Sequence, residues 1–374
     1  NIENNGGKII DPGIWETPLS INRIQIKASL TDNLSYLKID KFILDSDGPV
    51  LNASGIIKYT EKFPDINIET FVSSLNISDA LRYWPYKLEK DVRIWIKDSI
   101  YAGNIKDATL KIRLKPEDFQ SLTIPKNSIQ AIVPFQDATL DYYSPLGLVK
   151  KIRGLAKFSA HDIDIDVYDA LVNNSKISKG NVYVYGMLDK ITGISIKAGV
   201  QGPPDDLRKA VDILTNNTVI PIYIDKGEAE TQLTFDFPLT DFDEEKIKYT
   251  ASSTVKNMEL KDFYGYSIFQ KNLFAQLVQD DLYVKALNGK VTHNTNLEEP
   301  IKIKKIESKA TLLHKPSGVN IKSFFSDIYG PLIQASGHVK IYADTQDIDL
   351  NFNVDNLLAN HAYRYWPVHL AAVS

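Results

Sequence analysis

Along most of this chain apolar and polar residues alternate with a period of two, the mark of strands that keep one face dry and the other wet. In "INRIQIKASL", Ile24, Ile26, Ala28 and Leu30 fall on one side, and Gln25, Lys27 and Ser29 on the other. The pattern resumes at Leu51, Ala53, Gly55, Ile57 and Tyr59, then at Ile66, Ile68, Thr70 and Val72. Further runs are "HDIDIDVYD" around Ile163, Ile165 and Val167, "NVYVYGML" around Val182 and Val184, and "EAETQLTFDF" around Leu233, Phe235 and Phe237. Turn signals such as Asp47-Gly48-Pro49, Lys179-Gly180 and Asn288-Gly289 separate them. The expected fold is mainly β: an elongated antiparallel sheet, built as a long meander, with a few short helices docked on it.

Two stretches change period. In "LEKDVRIWIKDSIYAG", Leu88, Val92, Trp95, Ile96 and Ile100 recur at helical spacing after Pro85, and Gly103 stands where a C-terminal cap would. In "GPPDDLRKAVDILTN", Pro203, Pro204, Asp205 and Asp206 make a favourable helix start, and Leu207, Val211 and Leu214 form one apolar stripe. The spacing predicts helices near 88–102 and 203–215.

One tetrapeptide occurs twice, as Arg82-Tyr83-Trp84-Pro85 and Arg364-Tyr365-Trp366-Pro367. Laying Arg82 on Arg364, a shift of 282 residues, also brings Asp47-Gly48-Pro49 onto Tyr329-Gly330-Pro331 and Ala53-Ser54-Gly55 onto Ala335-Ser336-Gly337. Ile21, Ile24, Lys27, Ala28 and Leu30 meet Ile303, Ile306, Lys309, Ala310 and Leu312 without a gap. This is an internal duplication of a multi-strand block. It suggests three parts: 1–85 as the first copy, 86–302 as a central β region carrying the helices, and 303–374 as a truncated second copy, in a segment of a longer protein. The aromatic tetrapeptide has two readings. It could form an aromatic lip over an apolar cavity, with Arg82 meeting an anionic head group; the preferred reading is a joint, in which Trp84 anchors and Pro85 fixes the passage from strand to helix.

Length and composition narrow the function. At 374 residues the chain suits two or three domains or one extended array. The formal net charge is −4, with dispersed Lys and Arg, which argues against nucleic acid as a partner. There is no cysteine, so disulfides, thiolate nucleophiles and Cys-based zinc sites are excluded together. No apolar run approaches the roughly 20 residues that span a bilayer. The histidines, His161, His293, His314, His338, His361 and His369, lack metal-ligand spacing. The acidic run Asp162, Asp164, Asp166 lacks the glycine of a calcium loop and reads as a solvated strand face. With no nucleophile elbow or phosphate loop, the expectation is a non-enzyme without metal or cofactor.

The segment "RYWPYKLEKDVRIWIKDSIYAGNIKDATLKIRL", Arg82 to Leu114, resembles the central region of YhdP-type members of the AsmA-like family. "PFQDATLDYYSPLGLVKKIRGLAKFSAHDIDIDVYDALV", "AGVQGPPDDLRKAVDIL", "GEAETQLTFDFPL" and "VKNMELKDFYGYSIFQ" follow in that family's order. The resemblance implies a sheet folded lengthwise into a trough with an apolar interior. It also implies a periplasmic location, with an inner-membrane anchor in a segment absent from this chain, and non-enzymatic movement of phospholipid between inner and outer membranes. Phospholipids and the two membranes would be the partners. On that implication the groove lining is assigned to Ile24, Ile26, Leu30, Leu51, Ile57, Ile66, Ile68, Ile163, Ile165, Val167, Val182, Val184, Leu233 and Phe235. The alternative is a closed-core β repeat protein, an adhesin or carbohydrate-binding module, with Tyr142, Tyr143, Tyr183 and Tyr185 as exposed stacking platforms.

Overall fold

The computed structural model describes every residue except 32, 34, 61, 87–89, 122–123, 143, 189–191, 215–222, 241–242, 244–245, 264, 295–299, 315–316, 330, 342–345 and 356–374. Among the described residues, hydrogen bonding joins 21 strands into one sheet. By contact the chain forms two units. The first comprises Asn1–Asn173, Ile177–Ala198 and Phe235–Ile247; the second comprises Asn174–Lys176, Gly199–Thr234 and Lys248–Ser374.

The first unit opens with β1 (Ile2–Ile9), β2 (Leu19–Thr31), β3 (Tyr36–Ser46), β4 (Val50–Tyr59), β5 (Pro64–Val72) and β6 (Leu75–Asn76). Helices α1 (Ile77–Tyr83) and α2 (Lys90–Ser99) follow, then β7 (Ile100–Ile105), β8 (Ala108–Leu114) and the short helix α3 (Pro116–Gln120). Next come β9 (Ile129–Leu140), β10 (Val149–Ser159) and β11 (Ile163–Val172). Strands β12 (Ser175–Tyr185), β13 (Gly193–Gly202) and β14 (Ile224–Pro238) contribute residues to each unit. The second unit also holds α4 (Pro204–Leu214), β15 (Lys248–Phe263), β16 (Tyr266–Val278), β17 (Asp281–His293), β18 (Ile301–His314), β19 (Ser317–Asp327), β20 (Leu332–Ile341) and β21 (Gln346–Asp355).

Within the first unit the ladder is antiparallel throughout, and strand order follows chain order. The helices do not break it. Val72 lies opposite Ala108, and Leu75 lies opposite Ile105 in the same register. Strands β5–β6 and β7–β8 are thus two arms of one hairpin, with α1 and α2 inserted at its end. Pro85 explains where α1 stops: the residue before proline is pushed out of the helical region, and Trp84 is extended at φ −80, ψ 122. Helix α2 ends at Ser99, so Gly103 lies inside β7 and not at a helix cap. A Cβ on Gly103 would meet Ile77 Cδ1 at 2.6 Å and Ala138 Cα at 3.0 Å, so close packing of α1 on the sheet requires glycine there. In the second unit, β15 to β21 pair in chain order, again antiparallel.

The duplicated block is repeated in backbone detail. Under the same shift β4 matches β20 end for end, and β2, β3 and β5 match β18, β19 and β21 to within one residue. Register slips between Lys27 and Ala28 on β2, and again between Lys309 and Ala310 on β18. It slips between Ile39 and Phe42 on β3, and between Ile321 and Phe324 on β19. A Cβ on Gly55 would lie 2.3 Å from the Asn67 carbonyl oxygen, and one on Gly337 would lie 2.0 Å from that of Asp349. The Ser46 amide donates to the Pro49 carbonyl as the Ile328 amide donates to that of Pro331.

Strict alternation fails at one recurring feature. Several strands contain two consecutive outward residues flanked by inward ones: Lys150-Lys151 on β10, Lys256-Asn257 on β15, Lys271-Asn272 on β16 and Leu287-Asn288 on β17. Lys151, Asn257 and Asn288 take left-handed backbone, at φ 53, 52 and 59, where asparagine is tolerated better than most residues. Such irregularities bend a strand locally and restore its apolar side to the same face.

Candidate functional site

Within each unit the pairings trace an apolar face from strand to strand. In the first unit, Ile24 and Ile26 stand opposite Leu44 and Phe42, and Leu30 opposite Leu37. Leu44 and Leu37 face Leu51 and Ile57, which in turn face Val72 and Ile66; Ile68 faces Gly55. Ile68 and Ile66 lead to Ile112 and Leu114, and Ile112 to Ile129. Farther on, Val133, Ala156 and Ile165 align, as do Phe135, Gly154 and Val167, and Phe158 meets Ile163. Val182 and Val184 belong to the cluster around Ile163. Phe235 shares the strand side of Phe237, which packs there too. In the second unit Leu233 falls on the strand side of buried Ala229 and Thr231.

In the second unit the apolar face was missed by sequence reading beyond Leu233. Val255 faces Leu273, which faces Ala286, which faces Ile306. Phe324 faces Ala335 and then Phe352, while Val319 faces Val339 and then Ile348. The signal was present in the duplication, since the shift that relates the two copies carries Ile24, Leu30, Leu51 and Ile57 onto Ile306, Leu312, Ile333 and Val339.

None of the positions traced is Asp, Glu, Lys or Arg. The charges lie on the opposite face, where Lys157 meets Asp166 at 2.8 Å, Arg153 meets Asp169 at 2.6 Å and Lys111 meets Glu69 at 3.1 Å. Asp164 accepts from Asn181 Nδ2 at 2.6 Å. Asp162 is buried, which pushes its carboxyl up, but hydrogen bonds from Lys126, Ser159 and Tyr183 outweigh burial and hold it below the usual carboxylate range. The acidic run is therefore tied into side-chain networks, and among the described residues no cluster of metal-ligating side chains occurs. Tyr142 packs against a core cluster and Tyr183 bonds to Asp162; Tyr143 lies outside the described residues.

A family model described as YhdP protein matches residues 1–272. The chain belongs to the YhdP protein family. All of the resembling segments quoted above fall inside that match. No curated protein and no solved structure matches the chain.

Within this family member the apolar face is unevenly covered. On β2 to β5, Ile24, Ile26, Leu51, Ile57, Ile66 and Ile68 are only half-buried and Leu30 is exposed. Over β11 to β13, Ile163, Val184 and Ile194 are buried to 3 %, 2 % and 1 % exposure. The difference has a source in the chain itself: Trp84, Trp95 and Ile96, from α2 and the joint before it, pack onto those three residues. Tyr83 ends α1 with its hydroxyl bonded to Ser46 Oγ at 3.3 Å and to the Asp47 carbonyl at 3.2 Å. The Trp15 indole N–H donates to the Tyr83 carbonyl at 3.4 Å. The first tetrapeptide thus joins a strand-end turn to the helix pair, with Arg82 exposed and Pro85 half-buried. Its second copy, Arg364 to Pro367, lies outside the described residues.

At the positions traced, the face is apolar and uncharged, and on β2 to β5 it is only half-buried. Chemically, a surface of this kind can take up hydrocarbon, because each CH2 withdrawn from water contributes about 0.8 kcal/mol, and it rejects charged groups, for which it offers no partner.

Proposed function

We propose that this chain is a non-enzymatic segment of a lipid conduit in the bacterial envelope, and that its apolar sheet face carries phospholipid acyl chains between the inner and outer membranes. The observation that supports this most is the uncharged apolar face, running through register from β2 to β5 in the first unit and from β15 to β21 in the second. Membership of the YhdP protein family supports it independently. In this reading acyl tails lie on the apolar face and head groups remain in water. Movement is diffusion along the face, without a fixed site, and needs neither cofactor nor metal. The location is the periplasm, with anchoring supplied by other parts of the protein.

The test is to purify the chain without detergent and analyse extracted lipid by mass spectrometry, beside an unrelated β protein handled identically. The reading predicts phospholipid in stoichiometric enrichment, reduced by Ile57→Asp or Leu233→Asp in chains that still fold. A folded, lipid-free wild-type chain would contradict it and favour a closed-core structural module.

A further inference from the structure

Strands β10 to β13 carry the apolar face where the chain covers it with its own side chains. Trp84, Trp95 and Ile96 sit against Ile163, Val184 and Ile194, and Phe158, Ile165, Val182 and Ile196 complete the contact. On β2 to β5 the corresponding positions are half-buried or exposed, and among the described residues no core cluster forms there. The helices are therefore placed where acyl chains would lie if the face were used along its length.

How the pair is held bears on whether it can leave. Besides apolar contact, the Ser99 carbonyl at the end of α2 accepts from the Asp141 amide beside β9 at 2.7 Å, and further polar ties run to two strand-end turns. The Tyr86 amide donates to the Ile14 carbonyl at 3.1 Å, Arg93 meets the exposed Glu16 at 3.1 Å, and Tyr83 binds the turn at Ser46 and Asp47. The Nε of Arg93 is buried without a hydrogen-bond partner, an arrangement that costs stability in the closed position. Ile94, on the same helix, is 43 % exposed, so α2 presents apolar surface away from the sheet as well as toward it. A helix with apolar residues on two sides can exchange one apolar neighbour for another.

We propose that α1–α2, with Trp84 and Trp95 as its contacting rings, is a displaceable cover that occupies the acyl-chain position over β10–β13 and yields it to lipid. The proposal rests on the conduit reading given above. Lipid displaces the cover only as far as it binds the uncovered face better than the covered one, so passage through this stretch is conditional while β2–β5 stays open. The cover makes the first unit a controlled part of the track.

The experiment uses the full chain and vesicles of phosphatidylethanolamine and phosphatidylglycerol containing a phospholipid with a diazirine in its acyl chain. After photolysis, labelled peptides are mapped in wild type and in Trp95→Ala. The expected result is strong labelling of β2–β5, about tenfold weaker labelling per residue over β10–β13, and recovery of most of that difference in Trp95→Ala. Equal labelling of both stretches in wild type would overturn the cover while leaving the conduit in place. Weak labelling over β10–β13 in both proteins would make the helix pair permanent core and overturn it as well. Absence of acyl label anywhere would remove the conduit reading itself. Hydrogen exchange on wild type keeps the question decidable if the variant fails to fold. Amides of Lys90–Ser99 should exchange about tenfold faster with vesicles while β11 and β12 keep their protection, and unchanged exchange in α2 overturns the proposal.

Discussion

The two copies of the duplicated block, β2–β5 and β18–β21, share a backbone more closely than a sequence. Their register slips, their buried-edge glycines and their turn hydrogen bonds coincide. Facing positions keep their character but not always their identity: Leu37 becomes Val319, Leu51 becomes Ile333, Ile57 becomes Val339 and Ile68 becomes Leu350. On the other face even character drifts, with Asp40 replaced by Lys322, Lys41 by Ser323 and Phe71 by Asn353. A specific binding site would hold particular side chains fixed, because a missing contact costs affinity. A surface that only has to be apolar tolerates exchange among Leu, Ile and Val, which is the pattern here. The exceptions mark limits: Ile26 and Leu44 become Ser308 and Ser326, and Thr70 becomes Phe352.

The largest expected effect tests whether the backbones are equivalent. Gly55→Val and Gly337→Val each drive a side chain into a neighbouring carbonyl, and each should cost about 3 kcal/mol, at the upper end for overpacking. Denaturant midpoints should fall for both; loss at one position alone would break the equivalence. Second, Ile57→Asp and Val339→Asp should cost only about 1 kcal/mol of stability, since each side chain is half-buried and a carboxylate there can reach water. Lipid retained per chain should nonetheless drop with each, and a drop confined to Ile57 would restrict the lipid face to the first copy.

A third, smaller effect separates the copies. Tyr83→Phe removes a hydroxyl bonded to Ser46 and Asp47 and should cost about 1 kcal/mol, measured by chemical denaturation. The second copy has Ile328 in place of Ser46, so a side-chain bond of this kind cannot be made there. A further effect lies outside both copies and serves as their common reference. Burial, aided by Asp141, pushes the Tyr142 hydroxyl up to about 12, and burial with Asp280 does the same for Tyr249. A folded-state value raised above the unfolded one of about 10 means that stability is complete below pH ~10 and is lost as pH rises toward ~12. Thermal unfolding should therefore weaken across that window, equally in wild type and in both glycine variants.

Much of this fold could be read from local pattern. Alternation in "INRIQIKASL" and "HDIDIDVYD" gave strands where β2 and β11 lie, and Pro204 with Asp205 and Asp206 marked the start of α4. What was hidden came from two sources. The outward doublets, such as Lys256-Asn257, break alternation by one residue, and a strict period of two passes over them even though three of the four show as adjacent polar letters. The seat of Trp84 and Trp95 is a different matter. Trp95 falls in the predicted apolar stripe and Trp84 in the predicted joint, but that they rest on Ile163, Val184 and Ile194 depends on contacts some 70 to 110 residues away in sequence, which no local pattern encodes. The seven groove-lining candidates on β2 to β5 were brought onto one face, while the covering of β11 and β12 put Ile163, Ile165, Val182 and Val184 in a different environment.

The central claim is that the face bearing Ile57 and Val339 receives acyl chains and the opposite face does not. The chain has no cysteine, so single nitroxide labels can be placed at inward Ile57 and Val339 and at their outward neighbours Ile56 and His338. The measurement is electron paramagnetic resonance of each labelled chain with phospholipid carrying a doxyl group in its acyl tail. The account predicts strong spin-exchange broadening at positions 57 and 339 and little at 56 and 338. Equal broadening on both faces, or none on either, would contradict it.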